Sequence, residues 1–251
     1  MRRIGRVADI GHSYWLVLPI ALGITACSRE PVHAELAYTP SGAHLRWPVK
    51  EIVLTTAPEH LGEQPPPMLA RALTSAASAW NHALAGCNAP RLLANQVVLD
   101  GPALGDDLVN AVIFHERKWC PVTSVQREDC YPADSQAHTL LYPTLQPGSP
   151  HDGELRGVDI EVNGVDYRWS QRESPTALSL QTILIHELGH VLGLDHPCGP
   201  NTEWSNKRRP LVACDPSATA QVMRSDIASV TQGEALLPSK VEVAAVCELY
   251  R

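Results

Sequence analysis

Apolar positions recur along this chain with two distinct periods. In PPPMLARALTSAASAWNHALAG (65–86), Leu69, Leu73, Ala76, Trp80 and Leu84 return every three or four residues. That spacing predicts a long amphipathic helix lying on a sheet, opened by prolines and stopped at Gly86. SPTALSLQTILIHELGHVLG (174–193) predicts a second helix, with Ser174 or Ser179 as its N-cap. PSKVEVAAVCELY (238–250) predicts a closing helix in which Ser239 and Glu242 have the offset of a capping box. Shorter runs read as strands. WPVKEIVLTT (47–56) is rich in β-branched residues, and QVVLD (96–100) and LVNAVIFHE (108–116) are two further candidates. AHTLLYPT (137–144) ends in a turn-rich stretch, and GVDIEVNG (157–164) alternates with the period of a half-buried strand. Segments 117–135 and 197–237 carry no regular pattern, and there is no internal repeat. The mixed order of strands and helices predicts one α+β domain.

The first residues break this picture. MRRIGRVADIGHS is basic, and YWLVLPIALGITA (14–26) is apolar but short for a bilayer span. Export is the expectation. ITAC (24–27) resembles the lipobox of bacterial lipoproteins, which implies lipidation of Cys27 and anchoring by acyl chains without a transmembrane helix. By the same analogy, Ser28 favours the outer membrane over other membranes or the cell surface in a Gram-negative source. The expected division is therefore a signal peptide over 1–27, a tether over 28–44 and one folded domain over 45–251.

Composition then narrows the function. A net charge of −7 without basic clusters argues against a nucleic-acid surface. The chain has 7 cysteines. With Cys27 consumed by lipid, Cys87, Cys120, Cys130, Cys198, Cys214 and Cys247 form an even set, expected as disulfides in an exported protein. The loops 120–130 and 198–214 are the natural local pairs, leaving Cys87 with Cys247, although six cysteines admit many other pairings.

The sharpest chemistry lies in HELGHVLGLDH (186–196). Residues four apart share a helix face, so His186 and His190 can point at one ion. Gly193 tolerates the left-handed conformation that ends a helix, which lets the chain bring His196 back to the same point. Three nitrogens with a vacant fourth position are the mark of a catalytic zinc site. Zinc would acidify a water to a pKa of about 7, and Glu187 would serve as general base and then acid. The bland alternative is a histidine-rich buried helix.

HELGHVLGLDH resembles the HExxHxxGxxH signature of the metzincin metallopeptidases, and the chain is most similar to their matrixin-like branch. The resemblance implies a zincin-like fold: a twisted, mixed five-stranded sheet with long helices and a smaller irregular C-terminal subdomain. It implies one catalytic Zn2+, an edge strand near 137–143 that pairs with a peptide or protein substrate, and a methionine turn, for which Met223 is the residue available. A tyrosine ligand is not expected, because its position holds Ser225. The propeptide cysteine that gives matrixins latency has no counterpart, and VDIEV lacks the histidine of the second, structural zinc. Asp152, Asp159 and Glu161 are candidate Ca2+ ligands, although acidic residues near a turn are ordinarily solvated. His115, His138 and His151 lie outside the motif and read as strand or surface histidines, with His138 placed to approach substrate. The expected activity is zinc-dependent endopeptidase, acting as a monomer. The alternatives are a zinc-bound but non-catalytic binding module, or a hydrolase of a non-peptide amide.

Overall fold

Short aliphatic runs pair into a sheet whose open side carries the site. The computed structural model describes residues 33–95, 98–101, 104–121, 130–170, 177–199, 202–205, 212–214, 221–227 and 236–251, all within the unit Val32–Arg251. The expected signal segment and Cys27 lie outside the described residues.

The main sheet contains β2 (Glu51–Ala57), β3 (Arg91–Asn95), β4 (Asn110–His115), β5 (Ala137–Pro143) and β6 (Leu155–Asn163) in the order β3-β2-β4-β6-β5. The first four strands in that order run parallel, and β5 pairs antiparallel with β6 at one edge. The third strand falls on RLLAN, because Glu51–Thr55 takes Arg91–Asn95 as its register partners; of the expected run 96–100, residues 98–100 form no strand and 96–97 are outside the described set. The alternation in β6 predicts a half-buried strand, yet eight of its nine residues are buried. Its polar members go inside because each finds hydrogen-bond donors there, which removes the cost of burial.

Helix α1 (Pro67–Ala83) lays Leu69, Leu73, Ala76 and Trp80 into the core, and it ends three residues before Gly86. The Trp80 indole N–H donates to the Ile185 carbonyl (2.8 Å), which ties α1 to α2 (Leu180–Val191). Of the two proposed caps for α2, Ser179 takes the role, accepting from Thr182 N–H; residues 171–176 are outside the described set. Helix α3 (Lys240–Leu249) has the full Ser239/Glu242 capping box. Two-stranded pairs complete the set: β1 (Glu35–Leu36) with β9 (Leu194–Asp195), and β7 (Trp169–Ser170) with β8 (Leu178–Ser179). Together these make a mixed α+β fold with a five-stranded sheet and, among the described residues, three helices. None of those helices is long and apolar enough to cross a membrane.

Disulfides join Cys87 to Cys247, Cys120 to Cys130 and Cys198 to Cys214. The first clips the end of α1 to α3. Residues 33–44, expected as the far part of a tether, instead pack into the fold: β1 pairs with β9, and Ala37 and Thr39 are buried. The segment adds a strand to the turn after α2, a long-range pairing that its own composition does not announce.

Candidate metal centre

Helix α2 is buried on nearly every side by Ile183, Leu184, Ile185, Leu188 and Val191. Its polar residues therefore sit inside the protein, with His186 and Glu187 each only 5 % exposed. The helix stops where Gly193 takes φ +95°. A Cβ there would fall 2.5 Å from the Leu45 carbonyl oxygen, so glycine is required both for the turn and for the close approach. Two carbonyls at the helix end find partners in the N-terminal segment: Trp47 Nε1–H donates to Val191 O (2.7 Å) and Ala37 N–H to Gly193 O (2.9 Å). The turn returns His196 to the helix. The three Nε2 atoms then stand 3.2 Å (186–190), 3.1 Å (190–196) and 3.1 Å (186–196) apart.

The outer nitrogens define what those inner atoms are. His186 Nδ1 lies 2.6 Å from Val222 O, and His190 Nδ1 lies 2.9 Å from Leu194 O. Carbonyls only accept, so both rings carry their proton on Nδ1 and present a bare lone pair at Nε2. Burial pushes the His186 imidazole down to about 4. The His190 imidazole is lowered by burial first and by its neighbour His186 second. Neutral rings aiming lone pairs at one another repel unless a cation stands between them. A tetrahedral zinc with bonds of about 2.0–2.1 Å spaces its nitrogens by roughly 3.3 Å, close to what is found here. The donor set fits zinc, and among the described residues it is the one His/Cys/Asp/Glu cluster with metal-binding spacing.

Met223 lies beneath this cluster and is fully buried. A Cβ on Gly189 would sit 2.2 Å from the Met223 sulfur, which explains the small residue inside the motif. Met223 N–H donates to Glu242 Oε1 (2.8 Å), while Glu242 Oε2 accepts from the Ser239 N–H (2.7 Å). One carboxylate thus caps α3 and holds the turn whose Val222 carbonyl orients His186. Asp195 does similar work beside His196, accepting from Thr202 Oγ1 (2.9 Å) and Ser205 Oγ (2.5 Å). The capping half of the Glu242 role is legible in the sequence; its hold on Met223, 19 residues away, and the contacts of Asp195 with Thr202 and Ser205 are not.

A cleft of about 830 Å³ runs over the three histidines, with β5 as one wall and Trp204 and Ile227 on the other side. Glu187 projects into it, and Thr139 Oγ1 on β5 donates to Glu187 Oε2 (2.5 Å). His138 also lines the cleft. It is stacked on Trp119 (5.5 Å between centroids, 16°), and its Nε2 lies 2.9 Å from Ser135 Oγ. Burial lowers its imidazole against the opposing pull of Glu187 and Glu161. His115 is buried elsewhere, against Glu161 (2.5 Å), and His151 is exposed beside Glu154.

The candidate calcium ligands do not converge. Asp152 accepts from Gln146 N–H and from the Ser41 hydroxyl. Asp159 accepts from the N–H groups of Gly105 and Ala111 and from Tyr142 Oη, and Glu161 from Tyr131 Oη and the His115 ring. Each carboxylate is spent on a separate protein network, because the donors lie on different strands and loops. The expectation of calcium at these residues is therefore not met.

No curated protein matches the chain. The family model described as Matrixin matches residues 123–232, under half of the 251 residues but spanning the edge strand, the three histidines and Met223. The five-stranded mixed sheet and a histidine triad whose geometry suits zinc agree with that match, and the fold is matrixin-like over these residues.

Proposed function

We propose that the protein is a zinc-dependent endopeptidase that hydrolyses peptide bonds with Glu187 as general base. The observation that supports it best is the convergence of three imidazole nitrogens at 3.1–3.2 Å beside a buried carboxylate, in a cleft walled by an edge strand. His186, His190 and His196 would hold the ion; when bound, zinc supplies Lewis acidity toward a water and toward the scissile carbonyl. The backbone of β5, at the edge of the sheet, pairs with an extended peptide and presents its carbonyl at the cluster. Glu187 takes a proton from the attacking water and returns it to the departing amine nitrogen.

A quenched-peptide assay with and without a chelator tests this reading. Glu187→Ala should lower kcat by about 10²–10⁴-fold, the usual worth of a general base, while zinc stays bound. Equal rates for the variant and wild type would remove the assigned base; no hydrolysis by the zinc-loaded wild type would leave a zinc-binding module. We further propose that the chain is exported and lipid-anchored through Cys27, supported by the basic start, the apolar stretch 14–26 and ITAC. Cys27→Ala should move the protein from the membrane to the soluble fraction; unchanged membrane association would count against the anchor.

A further inference from the structure

We propose that Thr139 is a positioning residue that holds the Glu187 carboxylate in register with a peptide laid along β5. This rests on the reading of Glu187 as the base. Thr139 and Glu187 are 48 residues apart in sequence, yet the threonine hydroxyl donates to Glu187 Oε2 at 2.5 Å and lies 3.5 Å from the Glu187 carbonyl oxygen. The contact joins the edge strand to the metal-binding helix at the reacting group itself.

A glutamate has three rotatable bonds, and nothing in an apolar helix face selects one rotamer for its carboxylate. Thr139 supplies the selection. Its β-branched side chain is stiff at χ1, and its backbone is fixed by the β5–β6 ladder, where it lies opposite the fully buried Ile160. With Oε2 committed to the hydroxyl, Oε1 is the oxygen that turns to the reacting water. Because substrate pairs with the same strand that carries Thr139, one element sets both the position of the peptide carbonyl and the position of the base. Errors in the two placements then move together, which preserves the near-attack geometry.

The test compares zinc-loaded wild type, Thr139→Val, Thr139→Ser, Thr139→Ala and Glu187→Gln on one quenched peptide, with zinc affinity measured by chelator competition. Thr139→Val should lower kcat by about tenfold to a hundredfold, as expected for losing a hydrogen bond to a charged group. KM and zinc affinity should stay within about twofold of wild type, since neither the strand backbone nor the histidines change. Thr139→Ser keeps the hydroxyl and should recover kcat to within about threefold, with Thr139→Ala remaining as low as valine. Wild-type kcat in Thr139→Val beside an inactive Glu187→Gln overturns the role of Thr139 alone. A fully active Glu187→Gln overturns the base, and Thr139 with it. If valine disturbs zinc binding, the serine and alanine variants decide: equal kcat in those two overturns the proposal.

Discussion

Helix α2 and strand β6 both bury ionisable side chains in otherwise apolar elements, but they treat them in opposite ways. On β6, Asp159 and Glu161 are fully buried, and each oxygen meets a donor from the backbone, a tyrosine or His115. The network is closed, so its work is to hold β4, β5 and the 104–111 loop together. On α2, His186 and His190 use their outer nitrogens on carbonyls, and their inner ones face each other and that of His196 just beyond the helix. Acceptor confronts acceptor, and only an added cation can settle the arrangement. Burial with every partner supplied marks scaffold; burial with like groups aimed at one point marks a site.

That contrast can be broken most severely at His196. His196→Ala should weaken zinc by well over the roughly 100-fold that loss of an outer hydrogen bond costs, abolish hydrolysis and leave the apo fold standing, as checked by metal content and circular dichroism. The opposite pattern is expected at Glu161. Glu161→Leu leaves His115 and Tyr131 without their buried acceptor and should cost about 3 kcal/mol in urea unfolding, with zinc affinity nearly unchanged. A large loss of zinc there would mean that the β6 network belongs to the site after all.

Gly189→Ala lies between the two classes. The new methyl meets the Met223 sulfur, so the methionine must shift and carry the Val222 carbonyl away from His186. An overpacking cost of about 1–3 kcal/mol should appear together with weaker zinc binding; stability loss alone would uncouple Met223 from the metal. The smallest effect is a pH dependence. Burial raises the Asp159 carboxyl from 3.8 to about 6. The folded state therefore holds that proton more firmly than the unfolded chain, and the corresponding stability is full below about 4 and lost as pH rises through about 6. Urea midpoints measured at pH 4 and pH 7 should differ less in Asp159→Asn than in wild type.

Legibility followed the range of the interactions. The i, i+4 histidines, the glycine that ends their helix and the Ser239/Glu242 box are read from neighbouring residues, because a helix turns sequence spacing directly into geometry. The half-buried reading of β6 failed for a related reason: alternation reports polarity, whereas burial of Asp159 and Glu161 depends on donors 17 to 54 residues away. The tether reading of 33–44 failed because nothing in those residues states that β9 lacks a strand partner until β1 supplies it. The third strand was misplaced because QVVLD looks more β-prone than RLLAN, and register with β2 outweighed propensity.

By itself, then, the sequence determined the α+β class, both long helices, the closing helix with its cap and the residues that gather around a metal, since all of these rest on contacts within about one helical turn or on a single glycine. Only the tertiary structure decided that Thr139 reaches Glu187, that Val222 and Leu194 orient the rings, that Glu242 holds the methionine turn and that the N-terminal segment closes the end of α2. Those contacts join segments brought together by sheet order and core packing, whose free energy belongs to the whole fold and leaves no periodic trace in any one stretch of chain.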